Sequence, residues 1–162
     1  YSGYQTDDEY ITIPNPLDGE YKFEIQGTGD GGKYGVLMSY ISDNFATTTE
    51  IAGLTQRNQI TNLSINIDNE NPENLESKKE VTEESLIADI NKAYDLGWFK
   101  NQKVRDNLIW QINKIFRSEE ISREYILKSW VTTLEMLLED GKINQEAYNI
   151  MREDVNWLIL NN

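Results

Sequence analysis

The chain has 162 residues, with 15 Lys and Arg against 28 Asp and Glu, a formal charge of -13. That field repels phosphate backbones and anionic lipid, which sets nucleic acid aside as a partner. With neither cysteine nor histidine, disulfides, thiolate or imidazole metal sites, cysteine nucleophiles and Ser-His-Asp triads are excluded.

Residues 1–67 carry the period-two patterning of half-buried antiparallel strands. "EYITI" alternates around Tyr10 to Ile13. In "YKFEI", Tyr21, Phe23 and Ile25 share one side and Lys22 and Glu24 the other. Tyr34, Val36, Met38 and Tyr40 share a face of "YGVLMSYI", and Leu63, Ile65 and Ile67 a face of "LSINI". "TTTEIAGL" predicts a shorter strand between them. "PNPLDG" (Pro14 to Gly19) and "GTGDGG" (Gly27 to Gly32) suit hairpin loops. About five strands in this length predict a small antiparallel β-sandwich or part of one. "GVLMSYI" is apolar on both faces and calls for a cover: the helical bundle, an upstream segment or another molecule, with an upstream or intermolecular partner the favoured expectation.

Residues 68–80, "DNENPENLESKKE", are almost without apolar content and predict an acidic linker.

From Val81 the period becomes helical. A first helix is predicted from Thr82, its N-cap, to Leu96, with Leu86, Ile87, Ile90, Ala93 and Tyr94 inward. Asn101 caps a second, with Val104, Leu108 and Ile112 inward. A third covers Ser122 to Asp140, with Trp130 on its apolar stripe, and Asn144 caps a fourth with Ala147, Met151, Val155 and Leu158 inward. The fold class is therefore α+β: a β module (1–67), a linker (68–80) and an antiparallel four-helix bundle (81–162).

Two joints of the bundle read alike. "GWFKNQKV" and "GKINQEAY" each give a glycine (Gly97, Gly141), an apolar residue two positions on (Phe99, Ile143), then an asparagine (Asn101, Asn144). Glycine ends one helix in the left-handed conformation and asparagine caps the next. The repeat thus reads as two equivalent structural turns.

At these residues the helical half resembles a known family. "GWFKNQKVRDNLIWQINKI" and "LEMLLEDGKINQEAYNIMREDVNWLI" are similar to the FIMAH domain over about Ser85 to Leu160. The carriers are the two glycine–apolar–Asn joints, Leu108 and Ile112, Ala147, and the closing Asp154, Leu158 and Ile159. The resemblance implies a non-catalytic accessory module of bacterial and archaeal secreted and surface proteins. Over "YITIPNPLDGEYKFEIQGTG" and "YGVLMSYISD", the β half looks like sandwich repeats of large prokaryotic surface proteins.

These readings lead to a non-catalytic C-terminal module of an exported protein, extracellular or at the cell surface, serving anchoring, adhesion or assembly. Its partner is expected to be a protein or the remainder of a longer precursor. The alternative is a carbohydrate-binding accessory of a secreted hydrolase, with a surface glycan as ligand. No apolar run reaches the roughly 18–20 residues that span a bilayer, so no membrane insertion is expected. A first residue of Tyr1 rather than Met fits a mature or excised piece.

No residue is marked as catalytic. Candidate contacts are Trp98 at a turn, Trp157 beside its stripe, and Tyr4 and Tyr10 as a sugar-stacking pair. Asp7, Asp8, Glu9 and Asp43 are candidate calcium ligands at one end of the sandwich; the competing reading is a solvated acidic edge. "EDGKINQEA" is no EF-hand, because alignment on Gly141 puts Met136, Leu138 and Ala147 at three positions that need oxygen.

Overall fold

The computed structural model describes residues 9–161, the side chains of 120–122 excepted. Five strands, β1 (Gly19–Gln26), β2 (Gly32–Ile41), β3 (Ala46–Thr55), β4 (Ile60–Ile67) and β5 (Glu76–Lys79), precede four helices. They form two antiparallel sheets, one ordered β1-β4-β5 and the other the β2-β3 hairpin. Leu63 and Ile65 in the first sheet and Met38 in the second are buried. A side-chain bond from Thr49 of β3 to Ser77 of β5 (2.8 Å) ties the two sheets together, and Tyr40 Oη donates to Asn69 Oδ1 (2.9 Å) in the loop after β4. The alternation of Tyr21, Phe23 and Ile25 against Lys22 and Glu24 is the alternation observed in β1.

The loops differ from the sequence pattern. Residues 10–13 form no strand, and Tyr10 and Ile11 are exposed. "PNPLDG" therefore leads into β1 instead of turning a hairpin. "GTGDGG" is no hairpin either: it carries the chain from one sheet to the other, since β1 pairs with β4 and β2 with β3. Its glycines serve close approach. A Cβ on Gly27 would lie 1.9 Å from the Gln56 carbonyl oxygen, and one on Gly31 2.1 Å from that of Thr55.

The segment expected as a linker is tied down by its polar residues. Asp68 Oδ1 accepts from the backbone N–H groups of Glu70 (2.9 Å) and Asn71 (3.1 Å). The Asn69 N–H donates to Asp18 Oδ1 at 2.7 Å. A 3-10 turn at Pro72–Asn74 follows, then β5 joins the edge of β4 with Lys79 opposite Leu63. Low apolar content does not disqualify an edge strand whose ladder bonds are backbone bonds.

The helices are α1 (Glu83–Asp95), α2 (Gln102–Phe116), α3 (Glu120–Glu139) and α4 (Gln145–Asn161). Thr82 caps α1 by accepting from the Ser85 N–H at 3.1 Å. α1 packs on α2 and α3 on α4, and contacts of α1 with α4 and α2 with α3 close the bundle. Leu86, Ile90, Leu108, Ile112, Leu127, Leu134, Met151 and Val155 form its fully buried centre, with Trp130 beside them.

The two joints are equivalent. Gly97 (φ 75°) and Gly141 (φ 62°) are both left-handed. After α1, the N–H of Gly97 bonds Tyr94 O (2.9 Å) and that of Trp98 bonds Ala93 O (3.0 Å). After α3, Gly141 N–H bonds Leu138 O (2.9 Å) and Lys142 N–H bonds Leu137 O (2.8 Å). Both patterns are the Schellman closure, which satisfies carbonyls left open at a helix end. Asn101 Oδ1 then accepts from the Val104 N–H (3.2 Å) and Asn144 Oδ1 from the Ala147 N–H (2.9 Å).

The bundle itself covers part of the β region. Leu54 of β3 is 1% exposed and belongs to the helical core. Gln56 Nε2 donates to Ala88 O of α1 (2.9 Å), Lys92 Nζ donates to Asp30 O, and Lys33 pairs with Glu146. The cover expected from an upstream or intermolecular partner is supplied at this end by α1 and α4. At the other end of β2, Leu37 and Ile41 stay exposed.

Candidate functional site

Two places gather ionisable or aromatic side chains. The first is buried where β5 meets the bundle. Lys79 sits between Asp89 of α1, at 3.6 Å, and Asp154 of α4, which it contacts directly. Asp154 is 1% exposed. Period-two alternation turns Lys79 toward the helices, and helical spacing puts Asp89 and Asp154 on inward faces otherwise lined by Leu86, Ile90, Met151 and Val155. Tyr34 stands nearby, its ring above the bare backbone of Gly53, its partner across the β2-β3 ladder. A Cβ on Gly53 would lie 2.4 Å from the Tyr34 hydroxyl.

Burial pushes the Asp89 carboxyl well above the usual carboxylate range, the charge of Asp154 adds to this, and Lys79 opposes it. Burial alone would lower the Lys79 ammonium, but Asp154 and Asp89 outweigh it and hold it above its ordinary value. Burial raises the Tyr34 hydroxyl to about 12. A lysine held protonated is a poor nucleophile. The chemistry of this group is that of an ionic clamp joining β5, α1 and α4.

The second place is the outer face of α2 and α3. Residues 98–117 hold Lys100, Lys103, Arg105, Lys114 and Arg117 against the single acidic Asp106. This is a basic stretch in an acidic chain. Two shallow depressions lie along the α2–α3 groove. One, of about 360 Å³, is lined by Lys100, Lys103, Asn107, Leu137 and Lys142. The other, of about 390 Å³, is lined by Trp110, Lys114, Arg117, Ile126 and Trp130. Trp110 is 55% exposed, and Lys114 Nζ lies 4.1 Å from the centre of its ring. Arg105 is turned elsewhere, over Tyr94 and against Asp106. Helical spacing explains the surface: Leu108, Ile112 and Ile115 go inward, which leaves Lys103, Trp110, Lys114 and Arg117 outward.

The residues singled out from sequence are scattered. Trp98 and Trp157 are half-buried and pack against the helical core, so Trp98 is not the exposed contact expected at the turn. Trp110 is the tryptophan that faces solvent, and its helical phase, off the Leu108–Ile112 stripe, was the available signal. Tyr10 is exposed; Tyr4, Asp7 and Asp8 lie outside the described residues. Glu9 and Asp43 are exposed, and no group of three or more acidic side chains among the described residues could hold a metal ion. Gly97, Asn101, Gly141 and Asn144 occupy the two joints. Lys79, Asp89 and Asp154 were missed, because a linker lysine and two helix aspartates carry no joint pattern in sequence. No protein-family model, curated protein or solved structure matches the chain.

Proposed function

We propose that the chain is a non-catalytic module of an exported prokaryotic surface protein and serves anchoring, adhesion or assembly through a protein partner. The observation that carries this reading is the α2–α3 face, where an exposed tryptophan and a row of cations border a groove in an otherwise acidic molecule. Aromatic and arginine side chains are enriched at protein contact surfaces, around an apolar centre with a polar, charged rim. The FIMAH-like pattern of residues 85–160 supports an extracellular setting. No helix among the described residues is long and apolar enough to cross a membrane.

Glycan binding is the alternative reading, and exposed Trp110 favours it. Sugar stacking needs an open ring face, however, and Lys114 covers one face of Trp110. The test combines location and binding. Protease treatment of intact source cells should remove the chain, detected by antibody, before any cytosolic marker is lost. A chain protected until lysis contradicts the surface reading. A glycan array that binds the chain in a Trp110-dependent way supports the alternative.

A further inference from the structure

The Lys79 group is sealed, its three side chains 11% exposed or less. The α2–α3 groove carries more. It is basic in a chain of charge -13, and its cations are placed at both ends of an aromatic and aliphatic floor. Lys103 makes no ion pair among the described residues; Lys142 is bonded to Asp140 at 2.7 Å, and the charge of Lys100 also acts on that carboxylate. Lys103 and Lys114 are eleven residues apart on one helix, about 16 Å along its axis at about 1.5 Å per residue. About five residues of extended peptide, at roughly 3.3 Å each, cover that distance.

We infer that the α2–α3 groove docks an extended acidic peptide segment of a partner protein. Carboxylates separated by about five residues meet Lys100 and Lys103 at one end and Lys114 and Arg117 at the other. An apolar side chain between them packs beside Trp110. Charge complementarity selects the acid, and the apolar floor selects a peptide over a polyanion. A long nucleic acid or polyuronate gains the same cations but runs on into the negative field of the rest of the molecule. This deepens the reading above and rests on it.

Random dodecapeptides displayed on phage and selected on the immobilised 162-residue chain test the inference. Selected sequences should be rich in Asp and Glu around an apolar residue. Their fluorescein-labelled synthetic forms should bind in solution, weaken with salt, and lose at least about tenfold in affinity to Lys103→Glu/Lys114→Glu. If that double variant melts early, Lys103→Gln and Trp110→Ala, each checked by circular dichroism, take its place with the same expected direction. Selection that yields no peptide, peptides without acidic bias, undiminished binding to the variants, or tighter binding of a labelled oligogalacturonate or oligonucleotide in the groove would overturn it. Peptides that bind elsewhere on the chain would sink this inference alone and leave the protein-binding reading standing. A chain found only inside cells would sink that reading instead.

Discussion

Phe99 and Ile143 face each other across an isolated antiparallel bridge, each two residues beyond a left-handed glycine. The Lys100 N–H donates to Lys142 O at 2.8 Å, and the Asn144 N–H donates to Trp98 O at 3.0 Å. Both apolar side chains are buried beneath the bridge, 5% and 3% exposed. The repeated turn is therefore a single paired joint that locks the α1–α2 hairpin to the α3–α4 hairpin at one end. It also fixes the end of the α2–α3 groove, because Lys100 and Lys142 flank the bridge.

Gly97→Val and Gly141→Val should each lower stability by about 1–3 kcal/mol. No atom lies within 4 Å of a Cβ built at either position, so the cost is backbone conformation and not collision. Asparagine tolerates the left-handed region better, and Gly97→Asn and Gly141→Asn should lose less. Denaturant midpoints that rank Asn no better than Val would refute the conformational account.

Asn101→Ala and Asn144→Ala should each cost about 0.5–2 kcal/mol through loss of the cap. Asn101→Asp and Asn144→Asp keep an acceptor at the helix N-terminus and should retain most of the stability. Thermal melts that show alanine and aspartate variants equally impaired would contradict the capping role.

Lys79→Met leaves Asp89 and Asp154 buried together without their cation, at a cost of about 3–5 kcal/mol. Adding Asp89→Leu and Asp154→Leu should recover much of the loss, since apolar packing can replace a buried ionic group. A helical fragment beginning at Leu75 should likewise be more stable than one beginning at Val81, which lacks Lys79. Equal melting temperatures for the two fragments would argue against the clamp.

The Asp89 carboxyl, facing Asp154, Lys79 and Tyr34, is raised in the folded chain. The folded state then binds the proton more tightly than the unfolded one. The stabilisation from this group is complete below its unfolded value, near about 4, and is lost as pH rises through the folded value. Asp89→Asn cannot ionise and should lose less stability than the native chain as pH rises above about 4. Parallel urea midpoints across that range would contradict the shift.

Regular patterns were the legible part of this chain. The alternation of Tyr21, Phe23 and Ile25 and the Leu108–Ile112 stripe each fixed an element, and Thr82, Asn101 and Asn144 marked helix starts by local bonds. Partnerships were not legible. Nothing in "GTGDGG" says whether the next strand pairs with the last or crosses to another sheet. "ESKK" becomes a strand because the β4 edge and two buried aspartates receive it, which is a tertiary cause. The groove was half legible: the basic run of residues 98–117 is plain in sequence, but the depressions beside it require α3.

The central claim is that partners meet this molecule on the α2–α3 face. Chemical-shift mapping of the isotope-labelled 162-residue chain with a selected acidic peptide is the direct test. Shifts are expected only at residues 98–117, the groove side of α3 and the Trp110 indole, with β1 to β5 unmoved. Shifts centred on the open edge of β1 or on Leu37 and Ile41, with α2 silent, would contradict it.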